Sequence, residues 1–371
     1  MTPLVRATPF HGRAAAVNCR NLWELRNGWT LASAYGEAHE EALAARLTCA
    51  IADISWRGRA LIEGPRAEEF LSRLMTRDPA KLEPGTAFKA LWLSDGGGVR
   101  GAGLLARHGR ETFQLVSAAS DLDWIARGAA LFDVRVREVL DEEGVLALIG
   151  PYAGKVLEAA QLDGALEPLS FRKLFWRGLD VTLSRFGEHG GYEIACKADD
   201  AALVWDRIVK AGTAYALKPA GVAAMDILDL EAGVPRPGRD YEPARDGFDA
   251  EPTPVELGLE SLIDADHTVF NGRTAYLAAP RGRTRVGIEL DGETPAPHAT
   301  LKPGGRTLHS LYSPALQRAI ALAMVDTALA KPGTALMLAD GTDARVCELP
   351  FLPVPNPADS EPPPHPSTSS G

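Results

Sequence analysis

The sequence has few cysteines, no long apolar run and no surplus of basic residues. Its four cysteines are scattered and form no C-x-x-C pair, which is typical of reduced thiols and argues against a disulfide framework or a zinc motif. No run of about 18 apolar residues could span a membrane. The first 16 residues lack the apolar segment of a secretory signal. These absences predict a soluble, cytoplasmic protein.

The balance of charge and the histidines exclude further classes. The chain has 39 Lys and Arg residues against 49 Asp and Glu residues, a net charge of −10. A nucleic-acid surface or an anionic-membrane surface would need the opposite sign. The eight histidines show no H-x-x-x-H or Cys/His spacing, so no metal site is predicted. At 371 residues the chain exceeds one ordinary core, and we expect two or three domains.

A glycine-rich stretch at residues 184–194 is the strongest candidate for a ligand site. A predicted strand enters a turn that contains Gly187, Gly190 and Gly191, where positive φ and close backbone approach are allowed. The Glu193 carboxylate follows this turn and suits a flat heterocycle with adjacent N–H donors, such as a pterin, because two parallel charge-assisted hydrogen bonds can form. The alternative is an ordinary hairpin with an exposed glutamate.

The order strand, Gly-Pro, helix occurs twice, at Gly64-Pro65 and again at Gly150-Pro151. A proline at the first helical position loses no hydrogen bond. Apolar residues then recur at helical spacing in both segments. We interpret this pattern as an internal repeat, near residues 60–75 and 146–160, that predicts two related α+β halves.

A second glycine-rich stretch, at residues 95–103, contains the pattern G-x-G-x-x-G. In a dinucleotide-binding fold this pattern must open a helix, because the pyrophosphate rests on the helix N-terminus. Residues 104–116 instead predict a β-hairpin with its turn at residues 108–110. We therefore reject a dinucleotide-binding domain.

The remaining stretches define the expected domain limits. Residues 1–20 look irregular, and residues 234–256 are rich in proline, glycine and charge, which predicts a long functional loop or a linker. Short strands alternate with turns from about residue 283, typical of a small β-barrel. We expect an α+β core over residues 1–280, a barrel over 281–352 and a disordered tail over 353–371.

Eight short segments occur in an order typical of one enzyme family. They are C-A-I-A-D-I-S at 49–55, L-A-L-I-G-P at 146–151, G-E-H-G-G-Y-E-I at 187–194, L-E-A-G at 230–233, T-P-V-E at 253–256, F-N-G-R at 270–273, S-P-A-L at 313–316 and E-L-P-F at 348–351. Over residues 20–352 the chain resembles the glycine cleavage T-protein, a tetrahydrofolate-dependent aminomethyltransferase. That family includes folate-dependent demethylases, such as the one that acts on dimethylsulfoniopropionate, and the folate domains of sarcosine and dimethylglycine oxidases.

The resemblance implies a fold and a set of site residues. The fold would be α+β, with three subdomains in a cloverleaf around a central folate channel and a small C-terminal β-barrel. Glu193 would hold the pterin ring and Tyr192 would help to shape the site. By position, the segment 116–120, which includes Val116 and Ser117, would lie along the p-aminobenzoyl-glutamate end of the folate. Arg239 and Arg345 are the candidates to bind the carboxylates of that end. For each arginine the alternative is an ordinary solvated side chain.

The sequence departs from the family at the acidic hairpin. Gly101 and Ala102 stand where the family carries two aspartates, one of them catalytic. Neither residue can act as acid, base or counter-ion. Asp95 is a candidate substitute, although it also suits a plain turn position before the glycines. Two arginines of the family are also missing from residues 221–229.

These losses count against glycine cleavage and less against methyl transfer. In methyl transfer, N5 of tetrahydrofolate attacks a methyl group on sulfur, nitrogen or oxygen, and positioning supplies most of the acceleration. A cationic donor would need aromatic walls or a carboxylate, and Asp95 is a candidate for the carboxylate. The aromatic candidates are Trp29, Tyr35 and Trp56, each with core or rim packing as the alternative. His189, beside Glu188, is a candidate proton donor or a solvent-facing turn residue.

The sequence therefore predicts a tetrahydrofolate-dependent one-carbon transferase that acts as a demethylase of a small methylated compound. One alternative is a non-catalytic folate-binding accessory subunit, which would have a flavin oxidase as partner. Another is a divergent glycine cleavage aminomethyltransferase, which would need a lipoyl-carrier protein as partner. The net charge of −10 does not help the chain to dock an acidic carrier.

Overall fold

A computed structural model of the chain describes residues 5–118, 121–187, 189–245 and 251–355. It confirms the predicted mixture of helices and strands. Within these ranges no helix is both long and apolar enough to cross a membrane. The α-helices of the described residues are α1 (His11–Val17), α2 (Ala38–Leu47), α3 (Ala67–Leu74), α4 (Leu122–Ala129), α5 (Ala153–Ala160), α6 (Ala201–Gly212), α7 (Val222–Glu231) and α8 (Arg273–Ala278).

The strands of the same ranges fall into an N-terminal series and a C-terminal series. They are β1 (Arg6–Ala7), β2 (Trp23–Arg26), β3 (Trp29–Ala32), β4 (Cys49–Asp53), β5 (Gly58–Glu63), β6 (Ala87–Leu93), β7 (Val99–Arg107), β8 (Thr112–Ser117), β9 (Arg135–Glu138), β10 (Glu143–Ile149), β11 (Phe171–Trp176), β12 (Leu179–Ser184), β13 (Tyr192–Lys197), β14 (Leu217–Pro219), β15 (Arg283–Leu290), β16 (Leu301–Lys302), β17 (Gly305–Ser313), β18 (Arg318–Asp326), β19 (Ala335–Leu338) and β20 (Asp343–Cys347).

These strands form four sheets. The central sheet has the order β11-β12-β13-β10-β4-β14, and the hairpin sheet has the order β6-β7-β8-β5-β9. The barrel sheet, in the order β16-β19-β20-β15-β18-β17, has only antiparallel pairings and curls into a half-barrel. A small sheet of β1, β3 and β2 lies at the N-terminus.

Helices cover both faces of the central sheet, which is why β10 reads as a continuous apolar run. Successive side chains of a strand point to opposite faces. Leu146 and Leu148 accordingly pack in the cluster that includes α5 and α6, whereas Val145, Ala147 and Ile149 pack in the cluster that includes α2 and α7. The central sheet is thus a rigid platform for the residues at its edges.

Both strand–Gly-Pro–helix units occur in the structure. Gly64 joins β5 to the turn before α3, and Gly150 joins β10 to the turn before α5. Their φ values are +147° and +115°, and a β-carbon would lie 2.6 Å from the carbonyl oxygen of Asp133 and 2.7 Å from that of Thr48, respectively. Glycine is required at both positions. That the two units mark related halves stays a prediction.

The glycines of residues 95–103 lie on the turn and the strands of a hairpin. β7 pairs antiparallel with both β6 and β8, and no helix opens after the glycines. The hairpin interpretation is therefore confirmed. The prediction of an irregular N-terminus was wrong, because α1 forms over residues 11–17 and buries Ala14.

The predicted loop and tail are described only in part. Residues 234–245 form a loop after α7, while residues 246–250 lie outside the described ranges. Residues 353–355 lie against the N-terminal part of the chain, where the Pro353 carbonyl accepts a hydrogen bond from Arg46. The rest of the predicted tail, residues 356–371, is also outside the described ranges.

Candidate functional site

A cavity of about 260 Å³ lies where the central sheet, the hairpin sheet, the loop after α7 and the barrel sheet converge. Its described lining is mostly apolar, with four basic side chains and one carboxylate. The lining residues are Arg57, Lys89, Ala102, Gly103, Leu104, Val116, Ser117, Ala118, Phe186, Glu193, the loop from Gly233 to Pro237 that includes Arg236, Leu259, Ser261, Leu262 and Arg285.

Glu193 is the carboxylate of this cavity. It lies on β13, between β10 and β12, and is only 6 % exposed. Arg57 Nη1 is 3.6 Å from Glu193 Oε1 and balances its charge. Within the described ranges, no donor makes a hydrogen bond to this carboxylate. A buried carboxylate with open acceptor positions is costly unless a ligand or water completes it. The site can therefore bind paired N–H donors.

Tyr192 precedes Glu193 and points to the other face of the strand. Its ring is buried in the cluster that contains Leu157 of α5, and it does not line the cavity. The guanidinium of Arg185 lies 5.8 Å from the ring centroid. The alternation of side chains along β13 therefore limits Tyr192 to supporting the strand from the core side.

Val116 and Ser117 line the cavity from β8, as the resemblance implied. The Ser117 hydroxyl donates a hydrogen bond of 3.3 Å to the carbonyl oxygen of Ala102 on β7. Their roles toward a ligand stay predictions. The end of the same segment, residues 119–120, lies outside the described ranges.

The two arginines proposed for the glutamate end do not line this cavity. Arg239 pairs with Asp226 at 2.9 Å and with Asp240 at 3.2 Å, so its charge is already balanced inside the protein. It lines a separate cavity of about 430 Å³ that faces the barrel sheet. Arg345 lies exposed on β20. The structure thus corrects the expectation that these side chains lie together with Glu193.

Asp95 and the three candidate aromatic residues also lie apart from the cavity. Asp95 is exposed on the turn between β6 and β7. Trp29 is 2 % exposed and packs under the Arg6 guanidinium, 4.1 Å from its ring centroid. Tyr35 and Trp56 line a neighbouring cavity of only about 20 Å³. That cavity has no room for a small-molecule donor, and a role of these three aromatic residues toward a substrate stays a prediction.

A second buried carboxylate, Asp229 on α7, positions two residues of the site. Arg236 donates from Nε to Asp229 Oδ2 at 2.6 Å and makes a second contact through Nη2. His189 Nε2 lies 2.9 Å from Oδ1 of Asp229. Burial alone would raise the pKa of Asp229, but the charge of Arg236 and the contact with His189 hold this pKa well below its usual range.

This arrangement corrects the expectation of a solvent-facing His189, which is only 5 % exposed. His189 lies in the glycine turn and lines a small neighbouring cavity together with Tyr192 and Glu193. Arg236 instead lines the main cavity. Glu188, the neighbour of His189 in the chain, lies outside the described ranges.

The basic residues of the cavity are not among the residues predicted from the sequence. Arg236 lies in a Pro-Arg-Pro segment of the predicted functional loop, which was a usable signal. No local pattern marks Arg57 or Arg285. The two lie far apart in the chain, and only the fold brings them to one cavity. Gly101 and Ala102, which the resemblance aligned with the family's two aspartates, lie apart: Ala102 lines the cavity and Gly101 faces Trp92.

Comparison with known families places both parts of the chain in one family. The family described as the GCVT N-terminal domain matches residues 13–267, and the glycine cleavage T-protein C-terminal barrel domain matches residues 283–352. The chain is 30 % identical over 366 residues to an aminomethyltransferase of Thermotoga neapolitana, covering 94 % of this chain and 98 % of that protein. It is 31 % identical over 326 residues to an aminomethyltransferase of Bacillus subtilis, covering 83 % and 88 %.

A solved structure shows the same fold. The glycine cleavage system aminomethyltransferase T from Bartonella henselae superposes with a TM-score of 0.85 and 24 % sequence identity. The match covers 95 % of this chain and 99 % of that one. The α+β architecture with its C-terminal half-barrel is therefore an established fold.

Proposed function

The chain belongs to the glycine cleavage T-protein family, and on that premise we propose that it demethylates a small methylated compound. The family is that of the folate-dependent aminomethyltransferases and their relatives, and it uses tetrahydrofolate as its co-substrate. In our proposal the methyl group passes to N5 of tetrahydrofolate.

The observation that carries the proposal is the open carboxylate of Glu193. A pterin presents adjacent N–H donors that match the two oxygens of a carboxylate, and such charge-assisted pairs are strong and directional. Glu193 is buried at the cavity wall, with Arg57 3.6 Å away to balance its charge. The apolar side chains of Leu104, Val116 and Phe186 would enclose the heterocycle. These residues fit tetrahydrofolate.

The lining favours methyl transfer over a reaction that needs an acid or base at the hairpin. Ala102 has no ionisable group, and Glu193 is the one carboxylate among the described lining residues. In the proposed step the N5 lone pair forms a bond to the methyl carbon. The bond from that carbon to its heteroatom breaks, its electron pair stays on the heteroatom, and N5 loses its proton to water. Positioning of donor and acceptor supplies most of the acceleration.

Titration calorimetry with tetrahydrofolate tests the proposal. We expect the wild-type protein to bind and Glu193→Gln to bind at least about tenfold more weakly, because hydrogen bonds to a charged group are lost. Glu158→Gln is the matched control, since Glu158 is exposed on α5 and, among the described residues, pairs only with Lys155. Equal affinity of wild type and Glu193→Gln, or no binding by either, would contradict the proposal.

The donor is then sought by incubating the protein and tetrahydrofolate with N-, S- and O-methylated compounds. Formation of 5-methyl-tetrahydrofolate is the expected product, and Glu193→Gln should slow it. Binding of folate without any turnover would favour the accessory role, for which a flavin oxidase partner stays a prediction.

A divergent glycine cleavage aminomethyltransferase is the second candidate. The names of the relatives favour it, since both are aminomethyltransferases. Folate-dependent release of ammonia from an aminomethylated lipoyl-carrier protein would support it over demethylation. The predicted domain limits at residues 280 and 352 and the cytoplasmic location stay predictions as well.

A further inference from the structure

Arg285 is the one described lining residue of the cavity that comes from the barrel sheet. Its side chain leaves β15 and reaches the loop after α7. Nη1 donates a hydrogen bond to the carbonyl oxygen of Gly233, and Nε donates to that of Leu257, both at 2.7 Å. These two bonds fix the plane and the direction of the guanidinium group.

Both acceptors of Arg285 are neutral carbonyl groups. Across the described parts of the chain, no carboxylate lies within ion-pair distance of this guanidinium, and its Nη2 makes no hydrogen bond. Burial lowers the pKa of Arg285 to about 10, and the charge of Asp240 offsets only part of this shift. A half-buried cation without an ion-pair partner is costly, and an anion bound at its open edge would offset that cost.

A neighbouring arginine on the same strand has the carboxylate partners that Arg285 lacks. Arg283 lies two residues earlier on β15, and its Nη2 lies 2.8 Å from Glu256 and 3.2 Å from Glu251. It lines the separate cavity of about 430 Å³. The two arginines therefore differ in their counter-ions. One is paired inside the protein, and the other faces the ligand cavity.

We propose that Arg285 binds a carboxylate of the ligand through its Nη2 edge. The inference rests on the proposed function, since it concerns the same cavity. Glu193 on the central sheet would hold the heterocycle, and Arg285 on the barrel sheet would hold the anionic end. A guanidinium fixed by backbone carbonyls is pre-organised for such a contact. The carboxylate belongs either to the glutamate of tetrahydrofolate or to the one-carbon donor.

Calorimetric titration with a folate and a pterin tests whether the carboxylate belongs to the glutamate of tetrahydrofolate. The ligands are tetrahydrofolate and 6-methyltetrahydropterin, which carries the heterocycle without a carboxylate. If the glutamate is the anion, Arg285→Gln weakens tetrahydrofolate about tenfold or more and leaves 6-methyltetrahydropterin unchanged. Arg283→Gln is the matched control and should change neither affinity. Arg285→Lys keeps the charge and should recover part of the loss.

Titration with N-methylglycine and N-methylglycinamide, with and without 6-methyltetrahydropterin, tests whether the carboxylate belongs to the one-carbon donor. If the donor supplies the carboxylate, the wild-type protein prefers the acid over the amide, and Arg285→Gln abolishes that preference while tetrahydrofolate binds as before. Thermal unfolding confirms that each variant is folded before its affinities are compared.

Two results overturn the inference. One is the same set of affinities in wild type and Arg285→Gln for all four ligands. The other is an equal loss for 6-methyltetrahydropterin and tetrahydrofolate, which would mean that Arg285 only supports the structure. The proposed function fails separately, when Glu193→Gln leaves tetrahydrofolate binding unchanged. Loss on Glu193→Gln with no effect of Arg285→Gln would reject this inference alone.

Discussion

The indole ring of Trp92 fills the space into which a side chain at position 101 would project. A β-carbon built on Gly101 would lie 2.1 Å from Cζ2 of Trp92. The ring cannot withdraw easily, because it is 1 % exposed and its Nε1 donates a hydrogen bond of 3.1 Å to Asp121. The packing of the hairpin sheet therefore requires glycine at 101. Ala102, the next residue, faces the ligand cavity.

Gly101→Ala should lower the free energy of unfolding by about 1–3 kcal/mol, the usual cost of overpacking a filled core. Gly109→Ala is the control, because Gly109 lies at the turn of the next hairpin and a β-carbon there would meet nothing within 4 Å. Urea denaturation of both variants gives the comparison. Equal stability of the two would mean that Trp92 moves freely.

Asp229→Asn should destabilise the protein by about 3 kcal/mol near neutral pH, since it leaves half-buried Arg236 and buried His189 without the Asp229 carboxylate. The folded-state pKa of Asp229 is depressed, so its contribution is present above the unfolded value of about 3.9 and is lost as pH falls below it. The difference between wild type and variant should shrink below about pH 4. Urea titrations from neutral to acidic pH measure it, and a difference independent of pH would reject this account.

Gly190→Ala should release the C-terminal segment from the glycine turn. Gly190 has a φ of +66°, and a β-carbon there would lie 2.1 Å from the carbonyl oxygen of Pro355. Gly178→Ala is the control for backbone strain alone, because Gly178 has a φ of +89° with open space around it. We expect the control to lose about 1–2 kcal/mol of stability and Gly190→Ala to lose more. Faster proteolysis after residue 351 only in Gly190→Ala would support the contact, and equal behaviour would count against it.

Glu231→Ala should destabilise the contact between α7 and the barrel sheet. Its buried carboxylate lies 2.7 Å from Arg46 Nε and accepts a hydrogen bond of 2.6 Å from the Ser313 hydroxyl. Removal of one partner of a buried pair costs about 3–5 kcal/mol. Glu40→Ala breaks the exposed pair with Lys218 and should cost no more than about 1 kcal/mol. Thermal unfolding of the two variants distinguishes them, and similar losses would show that the pair at Glu231 is not effectively buried.

Local patterns in the sequence determined much of the fold. The apolar run of β10 and the two Gly-Pro breaks depend on side-chain periodicity and on backbone angles that only glycine adopts, which are properties of a few neighbouring residues. The same reasoning identified the turn before Glu193, and the structure places Glu193, Val116 and Ser117 at one cavity. The sequence could indicate these residues because each lies on or beside a regular strand.

The tertiary structure alone decided which charges reach the cavity. Arg57, Arg236 and Arg285 come from three separate parts of the chain, and only the packing of sheets and loops brings them to one space. Arg239 is instead neutralised by Asp226 and Asp240. No local pattern reports such pairings, because the partner of a charged side chain depends on contacts between distant segments. The sequence determined which strands form, and their packing selected the groups that a ligand meets.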